Sequence, residues 1–345
     1  MKELTGLASQ GKGMIGVLLP DTTSSARYVT YDAPFLKMAF EAAGLTSDQY
    51  KIDNAQGSAS TMQQQAEADI TAGASVLLID PLDPGSGAAI EANAESKGVR
   101  VIDYDRLVTG GPEDRYYVSF NNITVGKTIG QGEIDCISAW KVSKPNILIM
   151  DGDPADNNAK LFKKGAEDAL KSGGVKIAKS FDTPGWSADK AQNEMQQSIT
   201  SLGNSGFAGV LAANDDLGGG AIAAMKSAGV KPSDRPTTGQ DATVAGLQRI
   251  LEGEQFMTVW KAIAPEAGAA AQIAVALAKG DDVPSDLINQ QVNNGQKDVP
   301  SVILKPAAII KNNVNDVIKG GDAKASDVCK GQYKSACEQA GISTQ

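Results

Sequence analysis

The chain contains no histidine. That excludes Ser-His-Asp and Cys-His nucleophilic chemistry and every metal site built on imidazole. Cysteine is scarce as well. Cys136, Cys329 and Cys337 are too few for a zinc framework, and none belongs to a C-x-x-C pair. Aromatic residues make up 5% of the sequence. No apolar run approaches the ~18–20 residues that span a bilayer. The opening MKELTGLASQGKG also lacks the apolar core of a secretory signal. Any such signal is expected to have been removed or never to have existed, and this segment reads as a polar lead-in to the first strand. Basic charge is outnumbered, with 32 Lys and Arg against 41 Asp and Glu, for a net charge of −9. An acidic surface repels phosphate backbones and anionic lipid, so nucleic acid and membrane surfaces are not expected partners.

What the sequence does hold is a repeated alternation. Short aliphatic runs at 14–20, 75–80, 99–105, 116–120, 146–153, 175–181, 208–215, 237–241 and 256–261 read as strands. Segments with apolar residues at helical spacing lie between them, at 34–44, 60–74, 158–174 and 217–229, and another follows at 262–280. Continuous apolar strands alternating with amphipathic helices predict parallel sheets covered on both faces, an α/β doubly wound fold. Glycines after the last helical turn (Gly44, Gly73, Gly98, Gly173, Gly229) fit left-handed helix stops. A length of 345 residues suits about two domains at ~150 residues each. A weak similarity between the units opening at 14 and at 146 points the same way. The helix at 262–280 comes after the second unit's strands are used up, so two lobes with several crossings are expected.

Polar residues gather where the strands end. Asp105 and Arg106 close VIDYDR, Asn157 and Asn158 follow MDGDPAD, Asn214 and Asp215 close LAAND, and Asp241 closes TGQD. Ligands of open parallel sheets bind outside the carboxyl ends of the strands. Any one of these carboxylates or amides reads equally well as a helix N-cap. As a set they read as a pocket. Acceptor-only Asp, donor-only Arg and Lys, and two-way Asn together match the hydroxyls of a polyol. Arg106 and Asp241 are each able to grip two neighbouring hydroxyls. Tyr28 (ARY), Trp186 (TPGWS) and Trp260 (VWK) stand beside polar groups, and a flat ring covers the C–H face of a pyranose. Core packing is the expectation for Trp260 and Trp140, whereas Trp186 sits in a loop.

The strings VLLID, VIDYDR, DNNAKLF, AAND, GQDA and MTVWK, in that order across residues 13–320, resemble the periplasmic sugar-binding proteins of ATP-driven (ABC) importers, the type I periplasmic binding proteins, and within them the xylose- and multiple-sugar-binding branch. The resemblance implies two Rossmann-like lobes, each a parallel sheet with helices on both faces, joined by three hinge strands around one sugar. It implies a lobe of 1–120 plus about 263–297, a second of 121–262 plus about 298–325, and a tail at 326–345. It further implies that Arg27 and Tyr28 form an Arg–aromatic pair in which Arg binds hydroxyls and the ring stacks. Asp105, Arg106 and Asn158 become polar ligands, Trp186 the opposing ring, and Asn214, Asp241 and Lys261 ligands from the second lobe and hinge. The family often has Trp where this chain has Tyr28.

An exported chain would also support a Cys329–Cys337 disulfide. In a straight helix those Cα atoms lie ~12 Å apart, so KGQYKSA must bend or break to form it. Such a short closed loop stabilises by roughly 2–3 kcal/mol. Cys136 then reads as a buried small apolar residue.

Other motifs are set aside. GKT at 126–128 lacks the earlier glycine of a P-loop, since position 121 is Asn. The glycines of LGGGA (217–221) read as tight helix–strand packing. DYD and DGD do not continue into a calcium loop. No cofactor and no metal are expected.

The leading expectation is a monomeric extracytoplasmic receptor, periplasmic or extracellular and with a lipid anchor as one option. It captures a monosaccharide, xylose or a related pentose or hexose, and delivers it to the permease of an ABC importer, with a chemoreceptor as a further candidate partner. A sugar-sensing effector domain of a transcription regulator is the alternative, but it would need a basic helix-turn-helix before the first strand. A glycosidase using Asp105 and Asp241 would need one protonated carboxyl, which Arg106 and Lys261 oppose.

Overall fold

The computed structural model of the protein describes residues 13–112, 115–139, 141 and 146–343. Trp140 and the polar lead-in before residue 13 lie outside them. The first unit runs β1 (Met14–Leu19), α1 (Ala33–Ala42), β2 (Tyr50–Asn54), α2 (Ala59–Thr71), β3 (Ala74–Ile79), α3 (Pro84–Ser96), β4 (Arg100–Tyr104) and β5 (Arg115–Phe120). The second runs α4 (Asn122–Ala139), β6 (Asn146–Asp151), α5 (Asn157–Ser172), β7 (Lys176–Asp182), α6 (Ala188–Leu202), β8 (Gly209–Ala212), α7 (Asp215–Ser227), α8 (Val244–Glu252) and β9 (Met257–Trp260). The chain then returns to the first unit with α9 (Ile263–Lys279), β10 (Gln290–Asn293) and β11 (Asp298–Leu304). It ends on the second with β12 (Ala307–Ile310), α10 (Val314–Gly320), α11 (Ala325–Val328) and α12 (Lys334–Gln339).

The first sheet has the order β10-β11-β5-β4-β3-β1-β2, parallel except for the β10–β11 hairpin. The second is β7-β6-β8, parallel throughout, and β9 pairs antiparallel with β12. Segment 237–241, expected as a strand, makes only two isolated bridges, Val210 to Thr237 and Gln240 to Val259. Its backbone turns instead, and Asp241 and Ala242 take φ of 89° and 47°. The strands β2, β10, β11 and β12 escape the sequence reading: β2 and β10 are polar edge strands, and the apolar runs of β11 and β12 are only three and four residues long.

The central strands are apolar and buried, as strands covered on both faces must be. Helix starts follow from their caps. Ser58, Asp83, Asp156, Asn214 and Thr243 each accept a backbone N–H of the turn they open. The two glycine motifs serve helix–helix contact. A Cβ at Gly126, in GKT, would fall 2.0 Å from the Phe162 carbonyl oxygen, so this glycine lets α4 lie on α5. Gly220, in LGGGA, brings α7 equally close to the Ala188 carbonyl at the start of α6. Gly218 meets the expected helix–strand packing more loosely: a Cβ there would lie 3.6 Å from the Ala212 side chain of β8 and 3.0 Å from the Thr238 carbonyl oxygen beyond it.

Three crossings join the units: β5 to α4, β9 to α9, and β11 to β12. The last falls after Leu304 rather than near 298, because β11 pairs with β5 in the first sheet. The segment from 314 onward is packed rather than free. Val314, Val317, Val328 and Ile342 share a core with Leu247, Ile250 and Leu251 of α8. Cys329 and Cys337 are bonded, with Cα atoms 5.7 Å apart, because the turn at Gly331–Tyr333 breaks the helix between α11 and α12. Cys136 is free and buried.

Candidate functional site

The carboxyl ends of β1, β4, β6 and β8 face one another across the crossings. The loops leaving them meet over a narrow cavity of ≈20 Å³. That is room for about one or two waters, so the two units meet closely across it. All nine residues singled out from the sequence line it: Arg27, Tyr28, Asp105, Arg106, Asn158, Trp186, Asn214, Asp241 and Lys261. Ser24, Ser25, Asp156, Phe162 and Gln240 complete the wall and were not singled out. Asp156 does carry a sequence signal, as the N-cap of α5. Phe162 lies four residues beyond Asn158 on the same helix face. The serines and Gln240 carry none, since their role depends on how two distant loops meet.

Arg27 behaves differently from the resemblance. It is 1% exposed, donates from Nε and Nη2 to Asp32 at 2.8 and 2.7 Å, from Nη2 to Glu266 at 2.9 Å, and from Nη1 to Asp105 at 2.9 Å. Four of its five N–H groups are thus committed to protein carboxylates. Arg27 chiefly fixes Asp105. Burial alone would disfavour the ionised Asp105 carboxyl, yet Arg27, Lys261 and Arg106, aided by the Tyr28 hydroxyl, hold it well below the usual carboxylate range. Its backbone takes φ of 56°, and its carbonyl accepts from Ser119, Asn158 and Tyr117 at 2.7, 2.9 and 3.0 Å.

Tyr28 stands between two guanidinium groups, with Arg27 5.4 Å and Arg106 5.5 Å from its ring centre. Arg106 donates to the Tyr28 hydroxyl at 3.0 Å and pairs with Asp156 of the second unit at 3.2 Å. On the far wall, Trp186 is buried with φ of 52°. Its ring lies against Gly152, where a Cβ would come within 2.2 Å, and edge-on to Phe162 at 6.3 Å. Its Nε1 donates to Asp156 at 3.2 Å. Trp260, by contrast, packs over Gly320 and donates to Asp322 at 2.5 Å, away from the cavity.

Asn214 joins the cap and the pocket readings, whereas Asn158 lies inside α5, whose cap is Asp156. Asn214 caps α7 through Oδ1 and donates from Nδ2 to the Ser24 carbonyl at 3.0 Å. Asn158 accepts from Asn122 at 2.8 Å while donating to Asp105. Lys261 is 3% exposed and lies 3.6 Å from Asp105 and 3.5 Å from Asp241. Asp241 is engaged on one side, where its Oδ2 accepts from Ser25 at 2.7 Å. Its Oδ1, the Ser24 hydroxyl and Gln240 Oε1 are buried without a hydrogen-bond partner. Three cations (Arg27, Arg106, Lys261) face three carboxylates (Asp105, Asp156, Asp241), so the lining is balanced in charge. That arrangement suits a neutral molecule rich in groups that both donate and accept.

The sequence profile of the periplasmic binding protein domain matches residues 15–282. The chain belongs to the periplasmic binding protein family. Among its relatives is the D-xylose-binding periplasmic protein of Escherichia coli, 36% identical over 282 residues, covering 80% of this chain and 82% of that protein. The multiple sugar-binding periplasmic receptor of Rhizobium radiobacter is 30% identical over 334 residues and 92% of both chains. Of solved periplasmic binding proteins, an ABC transporter solute-binding protein from Clostridium phytofermentans with bound β-D-glucose superposes with a TM-score of 0.80. It is 27% identical, covering 91% of this chain and 99% of that one. A carbohydrate transporter solute-binding protein from Chloroflexus aurantiacus in complex with D-glucose gives 0.80 and 28%, over 91% and 97%. The three crossings and the two doubly wound units are those of the type I architecture within this family.

Proposed function

We propose that the protein is the extracytoplasmic binding component of an ABC importer and holds one neutral monosaccharide between its lobes. The observation that carries this reading is the cavity: two rings, balanced charges and three orphaned polar atoms, enclosed by both lobes at once. Buried polar groups without partners are costly, and sugar hydroxyls would satisfy them. Tyr28 and Trp186 cover the apolar faces of the sugar. Arg106, Asp105, Asn158, Asn214, Asp241 and Lys261 meet its hydroxyls, with Arg27 holding Asp105 in place. A ligand touched by both lobes only when they meet favours the closed form, and the permease then reads that form. D-xylose and D-glucose are the first candidates in this reading, supported by the name of one relative and the sugar bound in two others.

Catalysis forms no part of this reading. Glycoside hydrolysis needs a carboxyl able to give up a proton, and Asp105 is kept ionised by its three cationic neighbours.

The test is a thermal-shift screen of pentoses, hexoses, polyols and sugar acids. At 100 times its dissociation constant the cognate sugar adds ~2.7 kcal/mol of stability. A response to neutral monosaccharides and not to sugar acids supports the proposal. A response to charged ligands alone, or to none of the panel, contradicts it.

A further inference from the structure

Three consecutive residues of the loop between β1 and α1 reach across the cleft. The Ser24 carbonyl accepts from Asn214 at 3.0 Å, the Ser25 hydroxyl donates to Asp241 at 2.7 Å, and the Ala26 N–H points at the Asp216 carboxylate. The loop is anchored from behind, on its own lobe. Asp21 Oδ1 accepts from the N–H groups of Thr23 and Ser24 at 2.8 and 2.6 Å, and Asn54 holds the Asp21 carbonyl at 2.7 Å. The Ser25 hydroxyl also accepts from the Arg27 N–H at 3.3 Å, which orients its proton toward Asp241. None of these bonds involves a ligand. Those of Ser24, Ser25 and Ala26 to Asn214, Asp241 and Asp216 run from lobe to lobe.

We propose that residues 24–26 form a clasp that holds the cleft shut by direct lobe-to-lobe hydrogen bonds, with Ser25 as the positioning residue for Asp241. The clasp rests on the reading of the cleft as a sugar site and adds two consequences to it. Ser25 engages Asp241 Oδ2, which leaves Oδ1, beside Lys261, as the oxygen with no hydrogen bond and the first available to the sugar. Bonds that form only on closure also oppose opening, so they slow release and leave entry to the open cleft unaffected.

The experiment compares the wild type with Ser25→Ala and Ser25→Thr. Spin labels are placed on Met38→Cys in the first lobe and Ile177→Cys in the second, both exposed positions, and the distance distribution is measured without sugar. The wild type is expected to populate a closed distance, Ser25→Ala to lose it by about tenfold relative to the open one, and Ser25→Thr to keep it. A hydrogen bond to a charged group is of that order. Stopped-flow binding of D-xylose should then show dissociation about tenfold faster in Ser25→Ala, with association within twofold of the wild type and Ser25→Thr restoring the rate. Identical ligand-free distributions in the wild type and Ser25→Ala overturn the clasp, as does an unchanged dissociation rate. If the wild type fails to bind D-xylose, the sugar assignment is what fails, and the spin-label comparison still decides the clasp.

Discussion

Arg106 of the first lobe and Trp186 of the second meet on one atom: each places a nitrogen 3.2 Å from Asp156 Oδ2. That single oxygen ties the cation under Tyr28 to the opposing ring, and Asp156 also caps α5 through its other oxygen. Asp156→Asn keeps an acceptor for the cap but removes the charge. We expect sugar affinity to fall by about 1.5–3 kcal/mol, the range for hydrogen bonds to charged groups. The melting temperature should move little. Calorimetric titration alongside a melting curve checks both, and an unchanged affinity would detach Asp156 from the site.

Gly152 sets the seat of Trp186. A methyl group there would sit 2.2 Å from the indole, so Gly152→Ala must displace the ring. The expected result is a shifted Trp emission maximum and at least a tenfold weaker sugar complex, with far-UV circular dichroism unchanged. Full affinity in this variant would show that the ring is not a wall of the binding site.

Acid stability should carry the mark of Asp215. This residue begins α7, is fully buried, and accepts from Gln255 at 2.7 Å and from the Thr243 N–H at 2.8 Å. Burial pushes its carboxyl up to about 6 despite those donors and the nearby Arg249. In the unfolded chain the value is ~3.9. Between these values the native state holds a proton that the unfolded state has released, so the contribution of Asp215 to stability is fully present below about pH 4 and is lost as pH rises through 6. Asp151 and Asp322, also raised to about 6, act in the same direction. Asp215→Asn should flatten the decline by up to one proton, about 1.4 kcal/mol per pH unit. Urea melts from pH 4 to 7 measure the slope, and identical slopes in both proteins would contradict the assignment.

The disulfide closes a short loop over α8. Cys337→Ser should cost about 2–3 kcal/mol of stability by the chain-entropy model. Native protein should show no thiol reactive toward a disulfide reagent, because Cys136 is buried and burial raises its thiol to about 12. Equal melting temperatures with and without reductant would argue against the first expectation, and a rapidly labelled thiol against the second.

The features legible in the sequence were those set by local chemistry. Apolar runs such as VLLI and NILIM can only be interior strands, and a carboxylate or amide closing them falls at a sheet's carboxyl edge whether it caps a helix or meets a ligand. Asn214 caps α7 and lines the cavity with the same side chain, so the cap reading does not exclude the pocket reading. Arg27 was harder to read. Nothing near ARY shows that Asp32, Asp105 and Glu266, the last 239 residues away, converge on its guanidinium. Ser24, Ser25 and Gln240 were illegible for the same reason, since an ordinary serine gains a role only when a second lobe closes on it. The strand expected at 237–241 failed because Asp241 needs a left-handed backbone to face the cavity, a demand of the site rather than of local propensity.

A crystal structure of the protein grown with the sugar that gives the largest thermal shift is the most direct test. The account predicts one monosaccharide seated between the rings of Tyr28 and Trp186, with a hydroxyl on Asp241 Oδ1 and another within reach of Arg106. A sugar found elsewhere, such as the surface groove between α4 and β12, with Asp241 and Arg106 untouched, would contradict it.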